Sequence, residues 1–212
     1  MGILYNLRKD YIQNKLNEDN LPENPVQLFQ HWFDEIRTNA PDFEANAMAL
    51  ATANKSGIPS NRMVLLKDFS ISGFVFFTNY ESRKGLEIAE NPNAALLFFW
   101  HPMERQVRIE GIVEKLPDEE SNTYFNSRPR DSKIGAWISP QSRIIPDRNF
   151  LEKKFKNKLN EAQENIEKPP FWGGYFLIPK KIEFWQGGKN RLHDRIEYTH
   201  TEHTWNIQRL AP

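Results

Sequence analysis

The feature that most restricts the fold is a series of short apolar runs between residues 46 and 78. Ala47-Met48-Ala49-Leu50-Ala51-Thr52-Ala53 leads through Asn54-Lys55-Ser56-Gly57 into Arg62-Met63-Val64-Leu65-Leu66-Lys67. A second turn around Ser72-Gly73 leads into Phe74-Val75-Phe76-Phe77-Thr78. Apolar, β-rich runs bounded by Gly-bearing turns form an antiparallel meander.

The rest of the chain extends that reading. Two further strands are expected at 94–100 and 106–116, separated by His101-Pro102-Met103-Glu104. In the second, Val107, Ile109 and Val113 alternate with Gln106, Arg108, Glu110 and Glu114, the pattern of a half-buried strand. Strands return at 174–178, 181–186, about 195–198 and near 205–210. Helices fill the intervals. Asn24 caps one that begins at Pro25, with Leu28, Phe29, Trp32, Phe33 and Ile36 on one core-facing stripe. Ser82 caps another that runs through Glu90 to the stop at Asn91-Pro92. A helix over 118–128 stops at Pro129, a further segment runs to Trp137, and 147–166 is charged and helical. The sum is an α+β or mostly β chain: a small antiparallel barrel with surrounding helices. Residues 1–24 are polar and read as an arm or lid rather than core, in front of one domain over 25–212. Arg8 and Tyr11 stand within the arm at helical spacing.

Charge narrows the function. Lys+Arg and Asp+Glu are both 28, so bulk charge gives no case for nucleic acid or an acidic membrane surface, and any basic patch must be local. The chain has no cysteine, which excludes disulfides, thiolate metal sites and a cysteine nucleophile. No apolar run approaches the roughly 20 residues of a membrane span, and no signal-peptide core is visible. The expectation is a soluble cytoplasmic protein. Glycine-rich dinucleotide and NTP loops are absent. No His pair stands at metal-ligand spacing beside a carboxylate, so no metal is expected; His200 and His203 are read as exposed in a polar tail.

Four constellations remain. In Ile182-Glu183-Phe184-Trp185-Gln186-Gly187-Gly188-Lys189-Asn190-Arg191-Leu192-His193-Asp194-Arg195, the residues Arg191, His193 and Arg195 recur at every second position. On an extended chain they would face one place, whose natural occupant is an anion, although such a run also suits the solvated face of an edge strand. Ser82-Arg83-Lys84 sits at a helix start, where free N–H groups and the helix dipole favour phosphate; a capped surface helix is the plain alternative. Arg62 and Lys67 differ in strand parity, so they share a ligand only across a bulge and otherwise serve two neighbouring ligands. Tyr124 and Arg128 share a helix face and Ser132 follows, a phosphate clamp or else a core tyrosine with a helix-end charge. Three charge-assisted bonds supply about 5 to 9 kcal/mol around one phosphate, which reaches only about micromolar binding. Two clusters therefore point to two phosphorylated ligands with further apolar contacts.

Arg62-Met63-Val64-Leu65-Leu66-Lys67, Ser82-Arg83-Lys84, Glu104-Arg105-Gln106-Val107, Tyr124-Phe125 with Ser127 to Ser132, Ile134-Gly135-Ala136-Trp137, Phe171-Trp172-Gly173-Gly174 and the 184–195 stretch together resemble the pyridoxine/pyridoxamine 5'-phosphate oxidase family. The likeness is collinear from about residue 7 to Pro212. It implies a split β-barrel homodimer with FMN at the subunit interface. FMN would be held by Arg62, Met63, Val64, Leu65, Leu66 and Lys67, by Phe77 and Thr78, by Arg83 and Lys84 at its phosphate, and by Gln106, Gln141, Ser142, Trp185 and Arg195. The substrate phosphate would go to Lys67, Tyr124, Arg128 and Ser132. Arg191 and His193 would face the pyridine ring as the catalytic pair, with Arg8 and Tyr11 closing over it. The implied reaction converts pyridoxamine or pyridoxine 5'-phosphate to pyridoxal 5'-phosphate by hydride transfer from C4' to flavin N5, with O2 reduced to H2O2. Two positions depart from the family's pattern: Phe77 stands where tyrosine is common, and Arg143 follows Gln141-Ser142. Rival readings are another split-barrel flavoenzyme, a non-catalytic carrier of FMN or pyridoxal phosphate, and a nucleic-acid-binding barrel.

Overall fold

The computed structural model describes residues 11, 15–161, 165–202 and 204–212; Arg8 and His203 lie outside them. In chain order the helices are α1 (Pro25–Asn39), α2 (Arg83–Glu90), α3 (Asp118–Ser127), α4 (Arg130–Ile138) and α5 (Arg148–Glu161). The strands are β1 (Ala47–Ala53), β2 (Pro59–Leu65), β3 (Asp68–Ser70), β4 (Gly73–Asn79), β5 (Asn93–Trp100), β6 (Arg105–Lys115), β7 (Trp172–Gln186), β8 (Asp194–His200) and β9 (Trp205–Arg209). All pair antiparallel in the order β2-β1-β5-β6-β7-β4-β3, with β8 on β7 and β9 outside β8. This curled sheet with helices around it is the split barrel expected of the sequence.

The two strands expected at 174–178 and 181–186 are one strand, β7. Pro179 interrupts the pattern because it has no N–H for the ladder, and proline inside a sheet is tolerated at a bulge. The register of β6 against β7 shifts there: Glu110 faces Lys181 whereas Gly111 faces Pro179. A Cβ on Gly111 would fall 2.1 Å from Ile178 O, so only glycine permits this approach. The bend divides β7 between two partners. Its first half, Trp172 to Leu177, pairs with β4, and its second, Lys181 to Gln186, pairs with β8. The three-residue strand β3, opposite the start of β4, was too short to register in the sequence.

Both helix starts behave as capping chemistry dictates. Asn24 Oδ1 accepts the Val26 N–H at 2.9 Å, with Pro25 opening α1. The apolar stripe of α1 plugs the barrel. Phe29 is fully buried and meets the rings of Phe69, Phe74, Phe98 and Trp100 at centroid distances of 4.9 to 5.6 Å, and Trp32 meets Phe184 at 5.2 Å. A second, smaller core of Phe125, Ile134, Ile166 and Trp172 gathers α3, α4 and α5 at the other end of β7. The described end of the arm is more than a loose strap: Leu16 belongs to the main core, and its N–H donates to Asp194 Oδ2 at 3.0 Å. No helix among the described residues is long and apolar enough to cross a membrane.

Phe29→Ala should lower the unfolding free energy by about 3–5 kcal/mol, the usual cost of truncating a buried Phe, measured by urea denaturation. A loss near zero would show that α1 is not the plug of this barrel.

Candidate functional site

The most developed cleft encloses about 1000 Å³. It is bounded by β2 from Ser60 to Leu65, the end of β4 from Phe77 to Asn79, the first turn of α2, Tyr124 and Arg128 at the end of α3, α4, the loop Ser139 to Ser142, and Trp172. Arg62, Lys67, Arg83, Lys84 and Arg128 all line it, and no carboxylate does among the described residues. A chain of zero net charge thus gathers five cations in one concavity. The parity conflict between Arg62 and Lys67 disappears because β2 ends at Leu65. Lys67 lies in the connection to β3, where its N–H donates to Val75 O at 2.9 Å.

The wall at α2 sets two cations at a capped helix start, an arrangement that favours an anion. Ser82 caps the helix by accepting the Gly85 N–H at 3.3 Å while donating to Asn79 O at 2.7 Å. Lys84 is buried, and its Nζ donates to Thr78 Oγ1 and Ser82 Oγ, each at 3.1 Å, and to Gln141 Oε1 at 2.9 Å. Burial, with Arg62 adding repulsion, brings its pKa down to about 8. Ser142, next to Gln141, holds φ 69°, a left-handed conformation uncommon outside glycine, so the loop is held at the cleft in a locally strained form.

A second anchor lies beside it. The Arg128 guanidinium sits 4.7 Å from the Trp172 ring centroid and 5.6 Å from that of Phe125. Its NH1 is buried with no hydrogen-bond partner among the described residues, and burial depresses its pKa. At such a nitrogen in a cleft wall a further acceptor would be favourable. Tyr124 stacks on Phe77 at 3.9 Å, and Phe77 on Trp172 at 5.5 Å, so the absent hydroxyl at position 77 is replaced by an all-ring wall. Ser132 stands half-buried in the first turn of α4 and lines the same cleft as Tyr124 and Arg128.

The 184–195 stretch departs from its expected form. Residues 189–191 form a 3₁₀ turn in which Asn190 and Arg191 take φ 55° and 63°, and the strand resumes only at Asp194. Arg191, His193 and Arg195 therefore do not line one extended edge. Arg195 binds Glu183 through Nε at 2.9 Å and NH2 at 3.1 Å, and donates through NH1 to Ala211 O. His193 instead stacks obliquely on Trp185 at 4.6 Å, and Tyr11 meets both rings edge-on, at 5.6 Å from Trp185 and 5.8 Å from His193. The Gly188 N–H donates to His193 Nδ1 at 3.1 Å, which leaves the imidazole proton on Nε2. Burial and the charge of Arg191 lower its pKa, so the ring is neutral near pH 7. Tyr11 is seated on Gly187, where a Cβ would fall 2.6 Å from Tyr11 Cγ.

This aromatic group does not line the five-cation cleft of the same chain, and neither do Gln106 and Arg195. Gln106 pairs with Trp185 across β6 and β7, whereas Thr78 pairs with Gly173 at the far end of β7. From Gly173 to Trp185 the strand runs roughly 40 Å. Met63, Val64 and Leu65 line the cleft, but Leu66 is buried in the core with both backbone groups bonded to Asn46. Sequence reasoning missed Ser60, Asn61, Asn79 and Trp172 in the cleft wall, and Glu87 behind it. Glu87 carried a local signal, its i,i+4 spacing from Arg83, and Trp172 stood in the Phe171-Trp172-Gly173-Gly174 run without an assigned role.

With the geometry in view, comparison with known proteins is informative. The family model described as pyridoxamine 5'-phosphate oxidase matches residues 33–158, and that for the pyridoxine 5'-phosphate oxidase C-terminal dimerisation region matches residues 172–212. The pyridoxine/pyridoxamine 5'-phosphate oxidase of Polynucleobacter asymbioticus is 52% identical and aligned over 100% of both chains. That of Crocosphaera subtropica is 53% identical over 97% of this chain and 98% of its own. Among solved structures, PhzG from Burkholderia lata 383, in complex with tetrahydrophenazine-1-carboxylic acid, is 29% identical with a TM-score of 0.88, covering 94% of this chain and 99% of that one. An FMN binding protein from Nostoc punctiforme shares the fold at a TM-score of 0.71 and 16% identity, over 91% of this chain and 100% of its own.

The pKa of Lys84 sets a pH signature for anion binding. A lysine is charged below its pKa, so its attraction is present at neutral pH and lost as the pH rises through about 8. Sulfate, which does not titrate in this range, should bind progressively more weakly across that step by calorimetry. Lys84→Met should bind more weakly and without the step; a step that survives in this variant would assign the titration to another group.

Proposed function

Because the chain belongs to the pyridoxine/pyridoxamine 5'-phosphate oxidase family, we propose that its five-cation cleft holds FMN beside a phosphorylated pyridine substrate and that the protein oxidises pyridoxamine or pyridoxine 5'-phosphate to pyridoxal 5'-phosphate. The observation that carries this reading is the pairing of two cation groups in one carboxylate-free cleft, one of them with an orphaned guanidinium nitrogen. Two phosphorylated ligands fit that arrangement better than one.

The residues present fit the groups. Arg83, Lys84 and the capped start of α2 would take the FMN phosphate, with Thr78, Gln141 and Ser142 around it and β2 from Arg62 to Leu65 along the remainder. Arg128, Tyr124, Ser132 and Lys67 would take the substrate phosphate. FMN, when bound, would supply the two-electron redox chemistry at its N5 against substrate C4', with O2 as the terminal oxidant reduced to H2O2. The chain's own contribution is binding, orientation and proton placement. His193, neutral with its proton on Nε2, would donate a hydrogen bond to the substrate rather than act as a base through Nδ1. Arg191 would orient the pyridine ring and stabilise its charge, and Tyr11, seated on Gly187, would cover the site together with Arg8.

The two groups at opposite ends of β7 would meet between two copies of the chain. Trp185, His193, Arg191, Arg195 and Gln106 of one copy would then close over the cleft of the other, giving a homodimer with FMN at its interface. The matched C-terminal dimerisation region, residues 172–212, includes all of these but Gln106. The outward face of the sheet offers a suitable surface, with Met63 and Phe99 more than half exposed beside the small side chains of Ala47, Ala49 and Ala51.

The test is a visible spectrum of the purified protein followed by pyridoxamine 5'-phosphate under anaerobic conditions. The flavin band should bleach and recover on admitting air. A flavin band indifferent to substrate would overturn the substrate assignment, and a protein that takes up no FMN would overturn the whole reading. Arg191→Ala should cut turnover by about 100-fold or more, in the range of a lost charge-stabilising contact, while the flavin stays bound. Flavin loss in this variant would show that Arg191 serves the cofactor instead.

A further inference from the structure

Behind the α2 wall of the cleft lies a carboxylate that the proposed reaction does not use. Glu87 is 6% exposed and sits on α2, one turn after Arg83. Its Oε2 accepts from Thr52 Oγ1 at 2.5 Å and Ser60 Oγ at 2.6 Å and lies 3.3 Å from Arg62 NH2. Its Oε1 accepts from Arg83 Nε at 2.8 Å. Both hydroxyls act as relays, since each gives its proton to Glu87 and takes one from Arg62, Thr52 at 2.5 Å from NH1 and Ser60 from NH2. With NH1 also donating to Leu50 O at 3.1 Å, the two terminal nitrogens of Arg62 are fully engaged and only Nε is left over. Arg83 is held differently. Its Nε is fixed by Glu87, its side chain is 60% exposed, and its terminal nitrogens have no partner among the described residues.

We propose that Glu87 is the positioning residue of phosphate recognition: it locks Arg62 into the wall and holds Arg83 by one nitrogen so that the other two stay available to a phosphate. This rests on the reading of the cleft as an FMN site and deepens it. A carboxylate suits this position for three reasons. Without it, Arg62 and Arg83 would repel each other and the buried Lys84 with nothing between them. Because a guanidinium is planar, fixing Nε also fixes the plane in which the two terminal nitrogens lie. Because the carboxylate is set behind the wall and is absent from the cleft lining, it orients the cations without opposing the anion directly.

A merely structural carboxylate would, when removed, weaken every ligand of the cleft alike. A positioning carboxylate affects chiefly the phosphate, which the terminal nitrogens of Arg83 would meet. The experiment is to titrate the apo-protein with FMN and with riboflavin, which lacks the phosphate, following flavin fluorescence in wild type, Glu87→Ala and Glu87→Gln. Wild type should prefer FMN strongly. Glu87→Ala should weaken FMN by about 10- to 100-fold, the worth of a charge-assisted contact, and leave riboflavin within about threefold. Glu87→Gln, which keeps an acceptor for Arg83 Nε, should fall between the two. FMN and riboflavin weakening in parallel, or FMN affinity unchanged in Glu87→Ala, would overturn the proposal. If Glu87→Ala does not fold, Ser60→Ala removes one relay hydroxyl, and its FMN-to-riboflavin ratio must fall for the proposal to stand. A wild type that binds the two flavins equally would remove the phosphate site itself, and with it the reading on which this rests.

Discussion

The architecture depends on one bulged pair of strands. β6 pairs with β7 along nearly its whole length, but the ladder slips between Glu110 and Gly111, where Pro179 can donate no hydrogen bond and Gly111 lets the backbones approach. A single regular β7 would have continued one flat ladder. Bent at this point, it hands its first half to β4 and its second to β8. The first half brings Trp172 and the end of β4 under α3 and α4, which forms the cleft. The second half carries Trp185 away to its own aromatic group with Tyr11 and His193. The bulge therefore decides which functional residues can meet within one chain.

Charge is the second constraint. The chain is neutral overall, yet five of its cations line one cleft, and the counter-charges lie elsewhere or behind. Two of the buried carboxylates each stand against two arginines: Glu87, behind the cleft wall, against Arg62 and Arg83, and Glu183, in the second half of β7, against Arg195, with Arg108 NH2 at 3.6 Å. Burial alone would push the Glu87 carboxyl up, but the hydrogen bonds from Ser60, Thr52 and Arg83 outweigh it and hold the pKa at about 2. Its charge is therefore present throughout the working pH range, and the geometry it imposes does not titrate away.

The sequence made local chemistry legible and left long-range geometry obscure. The Asn24-Pro25 and Ser82 caps, the alternation in β6 and the Pro129 break between α3 and α4 appear where the residues predict them, because caps and periodicity act over a few residues. The grouping of Tyr124, Arg128 and Ser132, which line one cleft, was visible for the same reason. Trp172 reached the cleft wall only through the pairing of β7 with β4, which no local pattern encodes. The every-second-residue reading of Arg191, His193 and Arg195 failed because an alternation of side chains says nothing about φ, and Asn190 and Arg191 both take positive values. Leu16 had looked like part of a polar arm, yet it is drawn into the core because Asp194 and Arg209 bind its backbone N–H and carbonyl.

These constraints converge on a coupling between the cleft and the stability of the fold. Lys84 is buried among hydroxyls and an amide with no carboxylate in direct contact, and Arg128 keeps an unpaired nitrogen against Trp172. Burial disfavours the charged form at both positions and lowers the pKa of each. The unfolded chain has no such gathering of charges, so an anion bound here favours the native state by mass action, by about 2.7 kcal/mol at a hundredfold excess over its dissociation constant. An anion in the cleft would therefore offset the cost of holding these cations out of water. The same buried cations that would bind an anion thus make the stability of the fold depend on one.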